Sequence, residues 1–100
     1  MTITPDNSTI SLSAKTSVPE HVLFQEASGS AALLNLDTET YFGLDDVGVA
    51  MWKELESAGS IGAAAEALEQ VYDAPLPLLQ QDLVKLIAAL QAHGLITVLA

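Results

Sequence analysis

The sequence predicts an α+β fold in which a three-stranded antiparallel sheet comes first and three helices follow. Two observations lead to this fold class. In the first half of the chain, short apolar runs alternate with turn residues, which is typical of short strands. In the second half, apolar residues recur every three or four positions, as in amphipathic helices. Because 100 residues fit one domain, both halves are expected to share one core.

Three strands are predicted between residues 18 and 44. The first contains the apolar run at residues 22–24, and the turn residues 28–30 lead to a second run at residues 31–36. Residues 37–39 then turn the chain into a third strand at Thr40–Leu44. A sheet of this size is not stable alone, so the helices are expected to cover one of its faces.

Each predicted helix has a start signal and an apolar stripe. Asp45 and Ser60 are good N-caps for the first two helices, and Pro77 fits the first turn of the third. Gly94 is expected to end the third helix, and residues 95–99 to return as a short extended segment. The stripes consist of Val47, Met51 and Leu55, then Ile61, Ala64, Ala65, Leu68 and Val71, and finally Leu79, Leu83, Leu86, Ile87 and Leu90.

Residues 1–16 are expected to form a flexible N-terminal arm, and residues 17–100 the folded domain. In the arm, Thr, Ser, Asn and Pro are frequent, and the large aliphatic residues are Ile3, Ile10 and Leu12. A terminal segment of this composition buries little apolar surface. A short edge strand at residues 10–13 is the regular structure expected there.

The charge of the chain argues against nucleic acid as a partner. Asp and Glu number 13, whereas the 3 basic residues are Lys15, Lys53 and Lys85. Duplex binding requires Lys and Arg side chains that neutralise phosphates, and docking on anionic lipid requires a polybasic segment. An acidic surface instead favours a protein or peptide partner, or serves solubility alone.

The composition also predicts the compartment. With Cys 0, the chain has no disulfide, no thiolate metal site and no cysteine nucleophile. The N-terminal residues lack the basic segment of a secretory signal. The longest uncharged apolar stretch, residues 86–100, is shorter than the roughly 18 residues of a membrane span. We therefore expect a cytoplasmic protein that does not bind membranes.

The titratable residues do not combine into a catalytic or metal-binding pattern. His21 and His93 have no His or Glu neighbour at the spacing of metal ligands. Asp45 and Asp46 directly precede an apolar stripe, so helix capping explains them better than acid–base chemistry. No serine lies in a nucleophile elbow, and no glycine loop for phosphate is present. We expect no enzyme, no catalytic residue, no metal site and no cofactor.

The third predicted strand is the most distinctive binding feature. It contains the pair Tyr41-Phe42, and a three-stranded antiparallel sheet has two edges with unpaired backbone groups. An open edge beside an apolar helix can receive an extended peptide as an additional strand. Pockets for the side chains of such a peptide are expected from Phe42, Leu79, Leu83 and Leu86. Most of these leucines are also required for the core of so small a domain.

A longer pattern resembles the PqqD-like family. Residues 32–48 read ALLNLDTETYFGLDDVG and are followed by Met51-Trp52 and Leu55, where family members commonly show "vLLdl.tg.Yy.Ln..G..iW..L". The family's later "eyd", "Dv" and "GLi" positions are matched by residues 72–73, 82–83 and 94–96, so the resemblance covers residues 18–98. The family often has Gly where Glu39 or Thr40 stands and Asn where Asp45 stands, so the turn and the cap are expected to differ slightly.

The resemblance implies a winged helix-turn-helix scaffold that binds the leader peptide of a ribosomally made natural product. It further implies that the leader adds as a strand to the third strand and rests against the third helix. From the residues themselves, we expect Asp82 and Lys85 to form the polar rim that orients the peptide. The implied peptide-binding residues are Thr40, Tyr41, Phe42, Gly43, Leu44, Leu79, Asp82, Leu83, Lys85, Leu86 and Ala89.

The implied partners are a precursor leader peptide and a maturation enzyme. The pattern is similar to the small leader-binding partner of the lasso-peptide leader protease. It is equally similar to stand-alone chaperones that present precursors to radical-SAM enzymes, and the sequence does not separate the two. The alternative interpretation is a winged-helix protein–protein interaction module without DNA binding.

Overall fold

The computed structural model describes residues 10–99 and has the predicted α+β architecture. Strands β2, β3 and β4 form an antiparallel sheet in that order, and β1 pairs with β5 in a second sheet of two strands. Three helices follow β4, so the predicted order is confirmed and fits a winged helix-turn-helix. The elements are β1 (Lys15–Ser17), β2 (Val22–Ala27), β3 (Ser30–Asn35), β4 (Thr40–Leu44), α1 (Asp46–Ser57), α2 (Ile61–Glu69), α3 (Leu76–Ala92) and β5 (Thr97–Leu99).

The hairpin between β2 and β3 determines which backbone groups of the sheet are paired. Its loop residues Ser28 and Gly29 have φ of 52° and 84°, the left-handed values of a type I′ turn. Such a turn closes on a hydrogen-bonded pair, which here is Ala27 and Ser30. Because hydrogen-bonded and non-hydrogen-bonded pairs alternate along an antiparallel ladder, the odd-numbered residues of β3 direct their backbone groups toward β4.

The hairpin between β3 and β4 also contains a left-handed residue. Glu39 has φ of 59°, a conformation that is unfavourable for a residue with a Cβ atom. Its N–H donates to the carbonyl oxygen of Asn35 at 2.8 Å, which closes the turn. The preference for Gly in the PqqD-like pattern at this point therefore has a backbone reason.

The two predicted N-caps are confirmed. The Asp45 carboxylate accepts the N–H of Gly48 at 2.8 Å, and the Ser60 hydroxyl accepts the N–H of Ala63 at 3.1 Å. The third helix begins at Leu76 and has a proline in its first turn, as predicted.

Two residues of the predicted stripes are exposed instead. Val47 is 39% exposed, because α1 directs Val49, Met51 and Trp52 into the core. Val71 is 72% exposed, because α2 ends at Glu69 and Val71 lies in the following turn.

The sheet and the helices share one core with Trp52 at its centre. Trp52 is 1% exposed, and its ring stacks on Phe24 of β2 with centroids 5.8 Å apart and an interplanar angle of 9°. This contact joins α1 to the inner face of the sheet. The largest fully buried side chains are Trp52, Leu33, Ile61, Leu68, Leu83, Ile87, Leu90 and Leu95.

The strand near the N-terminus lies at Lys15–Ser17, so the expectation of a strand at residues 10–13 is wrong. The backbone before β1 has another role. The carbonyl oxygens of Leu12 and Ala14 accept the N–H groups of Gly62 and Ile61 at 2.7 and 2.9 Å. They thereby satisfy donors in the first turn of α2, which have no partner within the helix.

The remainder of the expected arm, residues 1–9, lies outside the described residues, and a domain boundary at residue 17 stays a prediction. The short extended tail is confirmed as β5, which pairs with β1. Across residues 10–99, no helix combines the length and the apolar character needed to cross a membrane.

Candidate functional site

β4 is an edge strand whose open side carries unpaired backbone groups. Thr40, Phe42 and Leu44 pair with odd-numbered residues of β3, so their N–H and C=O groups belong to the β3–β4 ladder. Tyr41 and Gly43 alternate with them and direct their backbone groups to the open side. The edge therefore offers a donor and an acceptor at each of two positions to an incoming strand.

The side chains of β4 alternate between the two faces of the sheet. Phe42 is half-buried and Leu44 is 5% exposed, and both point toward the helices. Tyr41 is 76% exposed on the outer face. At Gly43, a Cβ atom would meet no other atom within 4 Å. Thr40 is exposed at the start of the strand. The edge thus has an apolar inner side and an accessible outer side.

The predicted residues of α3 fall on different faces of the helix. Leu79 and Leu83 are 6% and 0% exposed, so they belong to the core and are not accessible at the surface. Leu86 and Ala89 are half-buried, whereas Asp82 is exposed. Lys85 is also exposed, but it lies further round the helix than Asp82 and Leu86.

The half-buried residues belong to a stripe along α3 that includes His93. Asp82, Leu86, Ala89 and His93 are spaced by four, three and four positions, which places them on one side of the helix. At 1.5 Å per residue the stripe is about 16 Å long, which is the length of about five residues in a strand. An extended peptide along β4 therefore matches the length of this stripe.

His93 brings β4 and α3 together. Its ring lies against Phe42 with centroids 5.4 Å apart and an interplanar angle of 66°. The ring is held by a hydrogen bond of 2.8 Å between Nδ1 and the carbonyl oxygen of Ala89. Of the predicted site residues, Phe42 and Ala89 are thus joined through a histidine that the sequence-based prediction did not include.

The sequence contained a signal for His93 but only a weak one for Asn35. His93 continues the spacing of Leu86 and Ala89, so extending the stripe by one turn identifies it. Asn35 is a polar residue at an inward position of β3, and its amide donates to the His93 carbonyl oxygen at 3.2 Å. An inward polar residue indicates a buried hydrogen bond, but the sequence does not name the acceptor.

Charged groups surround the site without pairing across it. Among the described residues, Lys53 and Glu26 form an ion pair at 2.9 Å and His21 Nδ1 lies 3.6 Å from the Asp37 carboxylate, and neither contact involves Asp82 or Lys85. Residues 10–99 contain no group of three or more His, Asp or Glu that could hold a metal ion. The site consists of backbone groups, apolar side chains and a polar rim, which is the composition of a surface for an extended peptide.

Two solved structures resemble the chain over most of its length. The first is described as TbiB1 in complex with the TbiA(beta) leader peptide: identity is 30%, the TM-score is 0.74, and the match covers 79% of this chain and 92% of that one. The second is lasso peptide synthetase B1 complexed with the leader peptide, with 17% identity, a TM-score of 0.76, and coverage of 83% and 98%. At that identity the second likeness supports the fold alone. A comparison with curated proteins gives no match.

The family model of coenzyme PQQ synthesis protein D (PqqD) matches residues 20–96. The match includes the whole β2–β3–β4 sheet and all three helices, so it spans both sides of the candidate site. The resemblance seen in the sequence is thereby confirmed, and the chain belongs to the PqqD family.

Proposed function

We propose that this protein binds the leader region of a ribosomally synthesised precursor peptide as an added strand on β4 and presents it to a maturation enzyme. The observation that carries the proposal is the open edge of β4, whose Phe42 contacts His93 at the C-terminal end of the α3 stripe. The leader peptide bound to TbiB1, in the similar structure with 30% identity, supports the same kind of ligand. The function is binding without catalysis, because backbone pairing and apolar contacts account for the site without a reacting group.

The leader pairs with the backbone of Tyr41 and Gly43, which supplies affinity for any extended sequence. Discrimination comes from the leader's side chains, which alternate between the two faces. Those that point inward meet Phe42, Leu86 and Ala89, and those that point outward lie beside the Tyr41 ring.

The remaining residues of the site have supporting roles in this proposal. Thr40 and Leu44 belong to the β3–β4 ladder and hold the edge strand in place. Asp82 and Lys85 form the polar rim and orient the peptide. Leu79 and Leu83 are buried, so they support the groove rather than contact the leader.

The maturation enzyme that we favour is a lasso-peptide leader protease. The resemblance of the sequence to the small leader-binding partner of this protease supports the choice, as does the leader peptide bound to TbiB1 in the structure with 30% identity. Because the precursor is made on ribosomes, we place the binding event in the cytoplasm.

The test is a titration of the full chain with fluorescein-labelled synthetic leaders. The panel consists of the TbiA(beta) leader peptide and the leaders of short precursor genes beside the gene of this chain. We expect at least one peptide to bind at micromolar concentration or tighter, and scrambled peptides of the same composition to bind much more weakly. Equal binding of native and scrambled leaders would refute the proposal and favour the alternative, an interaction module that does not depend on a leader.

A further inference from the structure

Asn35, the last residue of β3, is a buried polar side chain whose amide connects two parts of the fold. It is 3% exposed. Its Oδ1 accepts the N–H groups of Asp37 and Thr38 at 3.0 and 3.2 Å, and its Nδ2 donates to the carbonyl oxygen of His93 at 3.2 Å. A buried amide without partners is unfavourable, so these bonds hold the side chain in one orientation.

The bond to His93 is a polar tether between the three-stranded sheet and α3. Between the described residues, it is the one side-chain hydrogen bond that joins β2, β3 or β4 to α3 or its C-cap. The sheet packs on α1, and α3 packs on α2. The relative position of β4 and α3 therefore depends on few contacts: the Phe42–His93 contact joins them directly, and the tether acts beside it through β3.

The backbone at the end of α3 is shaped to receive the amide. Gly94 has φ of 68°, and a Cβ atom at this position would lie 3.1 Å from Asn35 Nδ2. The neighbouring His93 ring lies against Phe42 of β4. One short segment thus contacts β3 through its backbone and β4 through its ring.

We propose that Asn35 is a positioning residue of the leader site: its tether holds β4 at a set distance from the C-terminal turns of α3 before the leader arrives. This inference rests on the proposed function. A preformed groove increases the fraction of molecules that can bind. Loss of the tether should therefore slow association of the leader and leave its dissociation unchanged.

Two substitutions remove the tether and keep the local turn. Asn35→Asp retains an oxygen for the N–H groups of Asp37 and Thr38, but its carboxylate cannot donate to the His93 carbonyl. Asn35→Ser is neutral, and its hydroxyl can accept in the turn but is too short to reach His93. Gln25→Glu is the matched control for the added charge, since Gln25 is exposed on the outer face of the same sheet.

The measurement is stopped-flow binding of the tightest leader from the panel to the full chain, with circular dichroism as the check on folding. We expect both Asn35 variants to associate about tenfold more slowly than the wild type and Gln25→Glu, with the dissociation rate unchanged. If Asn35→Asp does not fold, Asn35→Ser gives the answer.

Two kinetic outcomes would overturn the inference. The first is an unchanged association rate in a folded Asn35 variant. The second is weaker binding that comes entirely from faster dissociation, because the tether would then act in the complex and not on the free groove. If the wild type binds no leader of the panel, the proposed function itself fails and this inference fails with it.

Discussion

Proline at position 43 is the most direct test of strand addition on β4. The N–H of Gly43 faces the open side of the strand, so its removal leaves the β3–β4 ladder intact. Edge strands tolerate proline where the N–H points to solvent. We therefore expect Gly43→Pro to fold and to bind the leader more weakly.

The expected loss follows from one hydrogen bond. Without the Gly43 donor, one carbonyl oxygen of the bound leader has no partner at the edge, which costs about 1–2 kcal/mol. This corresponds to about 5- to 30-fold weaker binding, and the bulk of the proline ring at the edge adds to the loss. Gly43→Ala is the matched control, because it keeps the N–H and its Cβ meets no atom within 4 Å.

The assay is fluorescence anisotropy with a labelled leader, with circular dichroism and thermal denaturation to verify folding. Phe42→Pro serves as a second control, since its N–H belongs to the β3–β4 ladder and its loss should lower stability instead. The reasoning is refuted if folded Gly43→Pro and Gly43→Ala bind the leader within twofold of each other.

Three further predictions concern the core, the groove and a turn. Trp52→Ala should lower the free energy of unfolding by about 3–5 kcal/mol, because it removes the buried stack on Phe24; a denaturant titration that shows less than 1 kcal/mol would contradict this. Leu86→Asp should weaken leader binding more than Lys85→Glu, because Leu86→Asp places a charge at a half-buried position, whereas Lys85 is exposed. The effect of Lys85→Glu should be mainly on the association rate and should decrease with added salt, whereas a salt-independent effect would rule out a rim role. Glu39→Gly should raise the free energy of unfolding by about 1 kcal/mol, because φ at this residue is 59°; an unchanged thermal midpoint would show that the turn relaxes without strain.

Features that depend on a few neighbouring residues could be predicted from the sequence. The type I′ turn follows from Ser28-Gly29, and the starts of α1 and α2 follow from the side-chain oxygens of Asp45 and Ser60. Each is a local hydrogen bond or a local backbone conformation. The family could be recognised for a related reason, because its pattern contains these turn and cap positions together with the apolar residues between them.

The orientation of α3 toward β4 required the tertiary structure. The spacing of the leucines predicts an apolar stripe, but it does not predict that Leu83 is fully buried whereas Leu86 is half-buried. The angle between these two residues on the helix is about 60°, so a small rotation of α3 would exchange their environments. The packing of α3 on α2 selects the rotation.

The pairing of β1 with β5 and the tether of Asn35 to His93 were also decided by tertiary structure alone. Both join residues that are far apart in the sequence: Thr16 pairs with Val98, and Asn35 is separated from His93 by 58 positions. A local pattern records which conformation a segment prefers, but not which distant segment it meets. That choice depends on how all the apolar faces bury one another at the same time, and the same packing sets the distance between the open edge of β4 and α3.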